Sequence, residues 1–213
     1  MPLTSVLDVL HEIGAKRFLL EIPPWVLRRR YVFCAVAPAE AVALKPSRIP
    51  FRLDPVLEEN AHDLVFGRPG VYTLSRVRAR LQQGHLAFVG RSRDAIVHTR
   101  WVFVGSVYLP YLSRPLVLAP GEGLLDEVYT VPAYRRSGLE SAAAVEMRRV
   151  LSARGFRRII CAIAAWNRTP QRVAAAQGWA IVGSGGYWNL LGHKRFFWEG
   201  RVQDDRDGSL RVR

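Results

Sequence analysis

The sequence predicts one mixed α/β domain of the α+β type, and three observations lead there. From residue 51 onward, segments with strand character alternate with segments of helical apolar spacing. The chain has 213 residues, enough for one ordinary domain with or without an extension. Hydrophobic residues make up 49% and charged residues 23%, which supplies a core and excludes wholesale disorder.

Taken in order, residues 4–14 set Val6, Leu7, Leu10 and Ile13 at helical spacing, with Ser or Thr as cap and Gly14 as stop. Pro23 and Pro24 break the chain, and residues 29–37 are β-branched and aromatic enough for a strand. Residues 38–50 contain three prolines and read as a connection. The expected organisation is therefore an N-terminal extension over 1–50 (helix plus strand), a main domain over 51–200, and a charged tail over 201–213.

Within the main domain, a strand at 50–53 precedes a helix near 55–65, and a second helix covers 72–83. Residues 85–91 and 95–105 read as a hairpin turning at Ser92, Arg93 and Asp94. Residues 107–118 form one more strand-like piece, and a Pro-Gly-Glu-Gly turn at 120–123 leads into a strand over 124–131. There follow a loop, a helix over 139–153, a strand over 158–164, a short helix over 170–177 and a terminal hairpin. The tail from residue 204 reads as frayed.

Lys and Arg number 31 against 18 Asp and Glu, a net charge of +13. Only Lys16, Lys45 and Lys194 are lysines; arginine supplies the rest and favours bidentate contacts with anions. Residues 1–60 carry a net +1 and residues 61–213 a net +12. Helix-turn-helix, zinc-finger and RNP-type signals are missing, so a small polyanionic ligand is preferred over nucleic acid as partner. Cys34 and Cys161 stand far apart with no CxxC, which excludes a disulfide framework and a Cys-rich zinc site. No metal is expected. Charges within the first twenty residues do not fit a signal peptide, and no uncharged run reaches the roughly 20 residues of a membrane span. A soluble cytoplasmic protein is the expectation.

The most informative segment is 124–140, LLDEVYTVPAYRRSGLE. A strand stops at Pro132, Gly138 permits close backbone approach, and a helix begins near Leu139. Such an entry gathers unpaired N–H groups at the positive end of a helix, a setting that binds anions. Arg135 and Arg136 add charge at the same place.

Here the sequence resembles the GNAT superfamily of N-acetyltransferases, whose loop [RQ]xxGx[GA] is matched by Arg135, Arg136, Ser137, Gly138, Leu139 and Glu140. Glu140 replaces the small residue that ends the motif. The preceding Pro132-Ala133-Tyr134 is similar to the family's strand-end segment. Asn167, followed eleven residues later by Gly178-Trp179, matches the closing motif. The resemblance implies a central, mostly antiparallel twisted sheet with flanking helices and a splayed strand pair that binds CoA.

It also implies acetyl-CoA or another acyl-CoA as cosubstrate, and direct attack by an amine in a ternary complex. The pyrophosphate would sit on residues 135–140 and the pantetheine arm along Val128, Tyr129, Thr130 and Val131, with Asn167 nearby. The acceptor is expected to be an amine, with an anionic small molecule or an amino sugar as the candidates.

An ammonium must lose a proton before it attacks, and a carboxylate is the usual acceptor. Asp126 and Glu127 both stand near the strand end; alternation sends them to opposite faces, Glu127 with Tyr129 and Asp126 with Thr130. The resemblance favours Glu127 as base. Many relatives carry a tyrosine seven residues after the motif asparagine, where this chain has Ala174. Tyr129, Tyr134 or solvent would then protonate the thiolate. His98 and the cluster Tyr187, Trp188, Phe196, Phe197 and Trp198 are read first as structural. A non-catalytic CoA-binding module and, less favoured, a nucleic-acid-binding protein are the alternative classes; the oligomeric state is left open.

Overall fold

The computed structural model describes residues 28–40, 46–190 and 192–213; the helix expected over 4–14 lies outside them. The elements are β1 (Arg28–Val36), β2 (Arg52–Val56), α1 (His62–Gly67), α2 (Leu74–Gln82), β3 (Leu86–Ser92) and β4 (Ala95–Phe103). They continue with β5 (Ser106–Leu109), β6 (Arg114–Val117), β7 (Glu122–Thr130), a 3-10 turn (Pro132–Tyr134), α3 (Leu139–Ala153) and β8 (Arg158–Ala164). The last are α4 (Arg168–Ala176), β9 (Ala180–Leu190), β10 (His193–Gly200), β11 (Val202–Asp204) and β12 (Leu210–Val212).

Eight strands form the main sheet in the order β10-β9-β1-β8-β7-β4-β3-β2. Every neighbouring pair is antiparallel except β7 and β8. That parallel pair needs a crossover, and α3 supplies it. A smaller sheet, β11-β12-β6-β5, covers part of one face together with α1 and α2. On that side Phe33, Leu64, Val77, Trp101, Leu124 and Ile160 are fully buried. On the other side α3 and α4 enclose Phe88, Val102, Met147, Leu151 and Ile159.

Four expectations differ from the structure. β1 is no extension: it lies between β8 and β9, with Tyr31 opposite Ala164 and Val32 opposite Ser184, so the sheet crosses the boundary drawn at residue 50. The helix expected near 55–65 starts only at His62, because Pro55 and Val56 remain in β2 and the Asn60 side chain caps the Leu57 N–H at 2.6 Å. The single strand over 107–118 is a hairpin, turning through Ser113 at φ 55°. The tail is ordered: Leu210 and Val212 are buried beside Val202, and the intervening charged residues had masked that alternation.

Candidate active site

The parallel pair is short. β7 meets β8 only at Glu122–Arg158, Gly123–Ile159 and Leu124–Ile160. Beyond it β8 stays with β1 and β7 stays with β4, so the two strands part. One edge of β7 is thereby left without a strand partner among the described residues. Val131 is engaged as well: its N–H bonds Val97 O of β4 (3.0 Å), and its carbonyl accepts from Tyr134 N (2.9 Å). The Thr130 carbonyl accepts from Arg135 Nε at 3.2 Å. The edge without a strand partner thus runs over residues 125–129, with the Glu127 N–H already taken by Asp126, and it stops two residues short of the expected end at Val131.

Where the strands part, β7 carries a bulge. Asp126 stands opposite Trp101 and Tyr129 opposite Thr99, three steps against two, and Glu127 takes up the extra residue at φ 52°. Alternation therefore fails, and both carboxylates turn to the side of α1 and α2. Glu127 accepts from Arg80 in a bidentate pair (2.9 and 2.8 Å) and from the Tyr72 hydroxyl (2.6 Å). Asp126 accepts from Tyr111 at 3.3 Å and from the Glu127 N–H at 2.7 Å. Tyr129 faces the same way as Glu127, with the Arg68 guanidinium 4.6 Å above its ring; Thr130 faces the other way.

The two acids differ electrostatically. Burial disfavours a charged Glu127, but the hydrogen bonds from Arg80 and Tyr72 outweigh it and hold its pKa below the usual carboxylate range. Burial also raises Asp126, with the Glu127 charge adding to it, and its pKa is pushed up to about 6.

At the end of β7 the chain turns through Pro132–Tyr134 and enters α3, with Arg136 at φ 62° and Gly138 at φ 82°. Alternating left-handed residues turn successive N–H groups into one concavity. Among the described residues, none accepts a hydrogen bond from the main-chain N–H groups of residues 136 to 141. Arg135 and Arg136 are exposed, the Ser137 hydroxyl donates to Tyr134 O (2.7 Å), and the Leu139 side chain is buried in the core. One flank of the loop is covered by its own chain: Arg48 N donates to Ser137 O at 2.7 Å, and a Cβ at Gly138 would stand 2.9 Å from Pro46 O.

Glu140 turns away from this concavity. Its carboxylate accepts from Arg100 Nη2 at 2.9 Å, and Arg100 is fully buried. Arg100 Nε donates to His98 Nε2 (2.9 Å), so the ring proton sits on Nδ1, which faces Thr130 Oγ1 at 2.8 Å. Burial and the Arg100 charge lower His98 well below its ordinary value, which keeps it neutral. His98 is thus a member of an internal chain from Glu140 to Thr130 rather than an exposed base.

Asn167 lies three residues beyond β8, in the N-cap position of α4, and its side chain makes no capping bond; the helix starts at Arg168, two residues before the expected 170. Ala174 is buried against Trp179 and Met147, so no hydroxyl stands there. The terminal aromatics divide between faces. Tyr187, Phe196 and Trp198 stack toward the core side, while Trp188 and Phe197 flank Arg28 on the other. None of them reaches Glu127. A 560 Å³ groove lined by Glu122, Arg158, Asp205 and Arg211 opens at the start of β7 and β8, the end opposite the loop. Tyr72, Arg80, Arg68, Tyr111 and Arg100 were missed from sequence, because each meets the site only through tertiary contact and belongs to no local pattern. Among the described residues no group of three His, Cys, Asp or Glu could hold a metal ion, and no helix is long and apolar enough to cross a membrane.

No family profile matches the chain, and no curated protein matches it in sequence. Solved structures do. A putative GNAT-family acetyltransferase from Novosphingobium aromaticivorans superposes with a TM-score of 0.51 at 14% identity, covering 74% of this chain and 62% of its own. A GCN5-related N-acetyltransferase from Sphaerobacter thermophilus gives 0.49 at 17% identity, covering 85% and 55%. The enzyme AAC(6')-Iy, solved with a CoA bisubstrate analogue, gives 0.48 at 14% identity, covering 60% and 89%. The chain spans less than two thirds of the length of the first two. At these identities the likeness is one of fold: the chain has the GNAT acetyltransferase fold.

Proposed function

We propose that this protein is an acyltransferase that moves an acyl group from acyl-CoA, with acetyl-CoA the first choice, to an amine in a ternary complex. The observation that carries this reading is the run of main-chain N–H groups at residues 136–141 without an acceptor among the described residues, set at the end of a parallel strand pair that has parted. Those amides with Arg135 and Arg136 would hold phosphates. The free edge over 125–129, including Val128 and Tyr129, would hydrogen-bond an amide-rich arm as an added strand does. Asn167, whose side chain makes no capping bond among the described residues, would be a further hydrogen-bonding group for the same ligand. Bound acyl-CoA would supply an activated thioester.

The chain's own residues then divide the proton chemistry. Sequence favoured Glu127 as base, but both its oxygens are held by Arg80 and one also by Tyr72, which leaves it a poor proton acceptor. Asp126, on the same side of the bulge and with a pKa about 6, is better matched to take a proton near neutrality. Glu127 fixes Arg80 and Tyr72 around the amine's approach. Tyr111, which donates to Asp126, is the hydroxyl next to the acid.

One observation favours a second reading, a CoA-binding module without turnover: the Pro46 carbonyl lies against Gly138, where a phosphate would also approach. Calorimetric titration with acetyl-CoA, followed by a thiol-release assay over a panel of amines, separates the two. Binding with release supports the transferase; binding without release on any amine supports the module; no binding overturns both.

A further inference from the structure

Three arginines belong to the α1 and α2 side of the acid pair, on or just after those helices. Arg80 is committed to Glu127. Arg68, which follows α1, lies 4.6 Å above the Tyr129 ring and 5.8 Å from the Tyr72 ring centre. Arg76 is exposed on α2, and its charge acts on Glu127. Neither Arg68 nor Arg76 makes an ion pair among the described residues. The buried acid of α1, Asp63, is already taken by Arg91 at 2.5 Å. Among the described residues, the α1 and α2 side of Asp126 and Glu127 thus keeps a positive excess, since Arg80 is matched by Glu127 and only Asp126 stands against Arg68 and Arg76.

Arg68 is also held in place. Its flat cation lies over the Tyr129 ring and also hydrogen-bonds the Tyr72 side chain, which fixes the guanidinium while leaving further N–H donors at its rim. Such a fork accepts an oxyanion in bidentate fashion. Tyr72 links it to the acids, since the ring under Arg68 carries the hydroxyl that bonds Glu127 at 2.6 Å. An acceptor whose nitrogen lay at the carboxylates and whose other end reached past Tyr72 would meet Arg68.

We infer that Arg68 forms an oxyanion subsite, and that the acceptor is a small amine carrying a carboxylate or phosphate group. This rests on the acyltransferase reading and narrows it to one chemical class of acceptor. The test pairs unbranched alkylamines with ω-amino acids and with aminoalkyl phosphates of the same chain length. In the intact protein kcat/KM is expected to be at least about tenfold higher for the anionic member, as a charge-assisted contact implies. In Arg68→Met, which keeps a stem against Tyr129, that ratio is expected to fall toward one. The carboxylate and phosphate arms show which oxyanion fits. Equal kcat/KM within each pair overturns the subsite and leaves acyl transfer standing. Failure to bind acetyl-CoA overturns the underlying reading instead. Calorimetric titration of the same ω-amino acids needs no turnover: binding lost in Arg68→Met supports the subsite, and binding unchanged by the substitution overturns it.

Discussion

Arg100, buried without solvent contact in the middle of β4, has its charge matched by Glu140 in the first turn of α3, 2.9 Å away. Glu140 is the residue by which the loop departs from the GNAT motif. Its carboxylate serves the interior rather than repelling a ligand at the loop.

Glu140→Ala restores a small residue to the motif but strands a buried guanidinium. Removing one member of such a pair costs about 3–5 kcal/mol. Chemical denaturation is expected to show a clear drop in midpoint, and Arg100→Met in the Glu140→Ala background is expected to recover much of it. A Glu140→Ala midpoint equal to that of the parent would mean that Arg100 is satisfied by another group.

Gly138→Ala is expected to destabilise by about 1 kcal/mol or more, because φ is 82° and the added Cβ would meet Pro46 O at 2.9 Å. Substitution at Gly138 therefore confounds folding with ligand binding. Arg135→Gln with Arg136→Gln avoids this, as both side chains are exposed. That double variant is expected to weaken acetyl-CoA binding about tenfold with little change in melting temperature, through lost charge-assisted contacts. Unaltered affinity by calorimetry would remove the loop from coenzyme binding.

If Asp126 takes the proton, it must be ionised first. Its folded pKa of about 6 makes kcat/KM rise from pH 5 to pH 7, with a midpoint near 6. Asp126→Asn is expected to abolish that limb along with most of the turnover. Stability runs the opposite way: the folded pKa exceeds the unfolded one, so folding loses stability as pH climbs from about 4 through 6, and the Asn variant flattens this slope. An acid limb unchanged in Asp126→Asn would assign the proton elsewhere.

Glu127→Gln leaves the Arg80 cation over Trp101 and Phe103 without its carboxylate. A loss of about 2 kcal/mol in stability is expected for this partly buried pair. The pH midpoint of turnover should also move down, since the Glu127 charge helps to raise Asp126. A parental denaturation curve would show that the pair contributes nothing.

Elements specified by their own residues were legible. α3 and β8 fall where expected, since an unbroken helical apolar period starts after Gly138 and a β-branched run follows the Gly155 turn. The loop over 135–140 was legible because glycine and arginine mark it in the sequence. The bulge at Glu127 was not: its positive φ falls on a glutamate, so no glycine announces it. Nor was the position of β1, whose neighbours stand more than a hundred residues along the chain and leave no local trace. The pairing of Arg100 with Glu140 was hidden for the same reason. In sequence Glu140 reads as an odd ending to a motif, and only the buried cation explains it.

The place of β1 has a temporal consequence. During synthesis residues 28–36 leave the ribosome first among the described strands, yet both strands that flank them, β8 and β9, are made last but for the closing hairpins. The early segment must therefore wait for β8 to emerge at Ala164, its second edge stays unpaired until about residue 190, and contacts of such long range slow folding. Completion of the sheet is then a capture step near the end of translation, and a nascent chain stalled before β9 would display an open β-edge to other proteins and to chaperones.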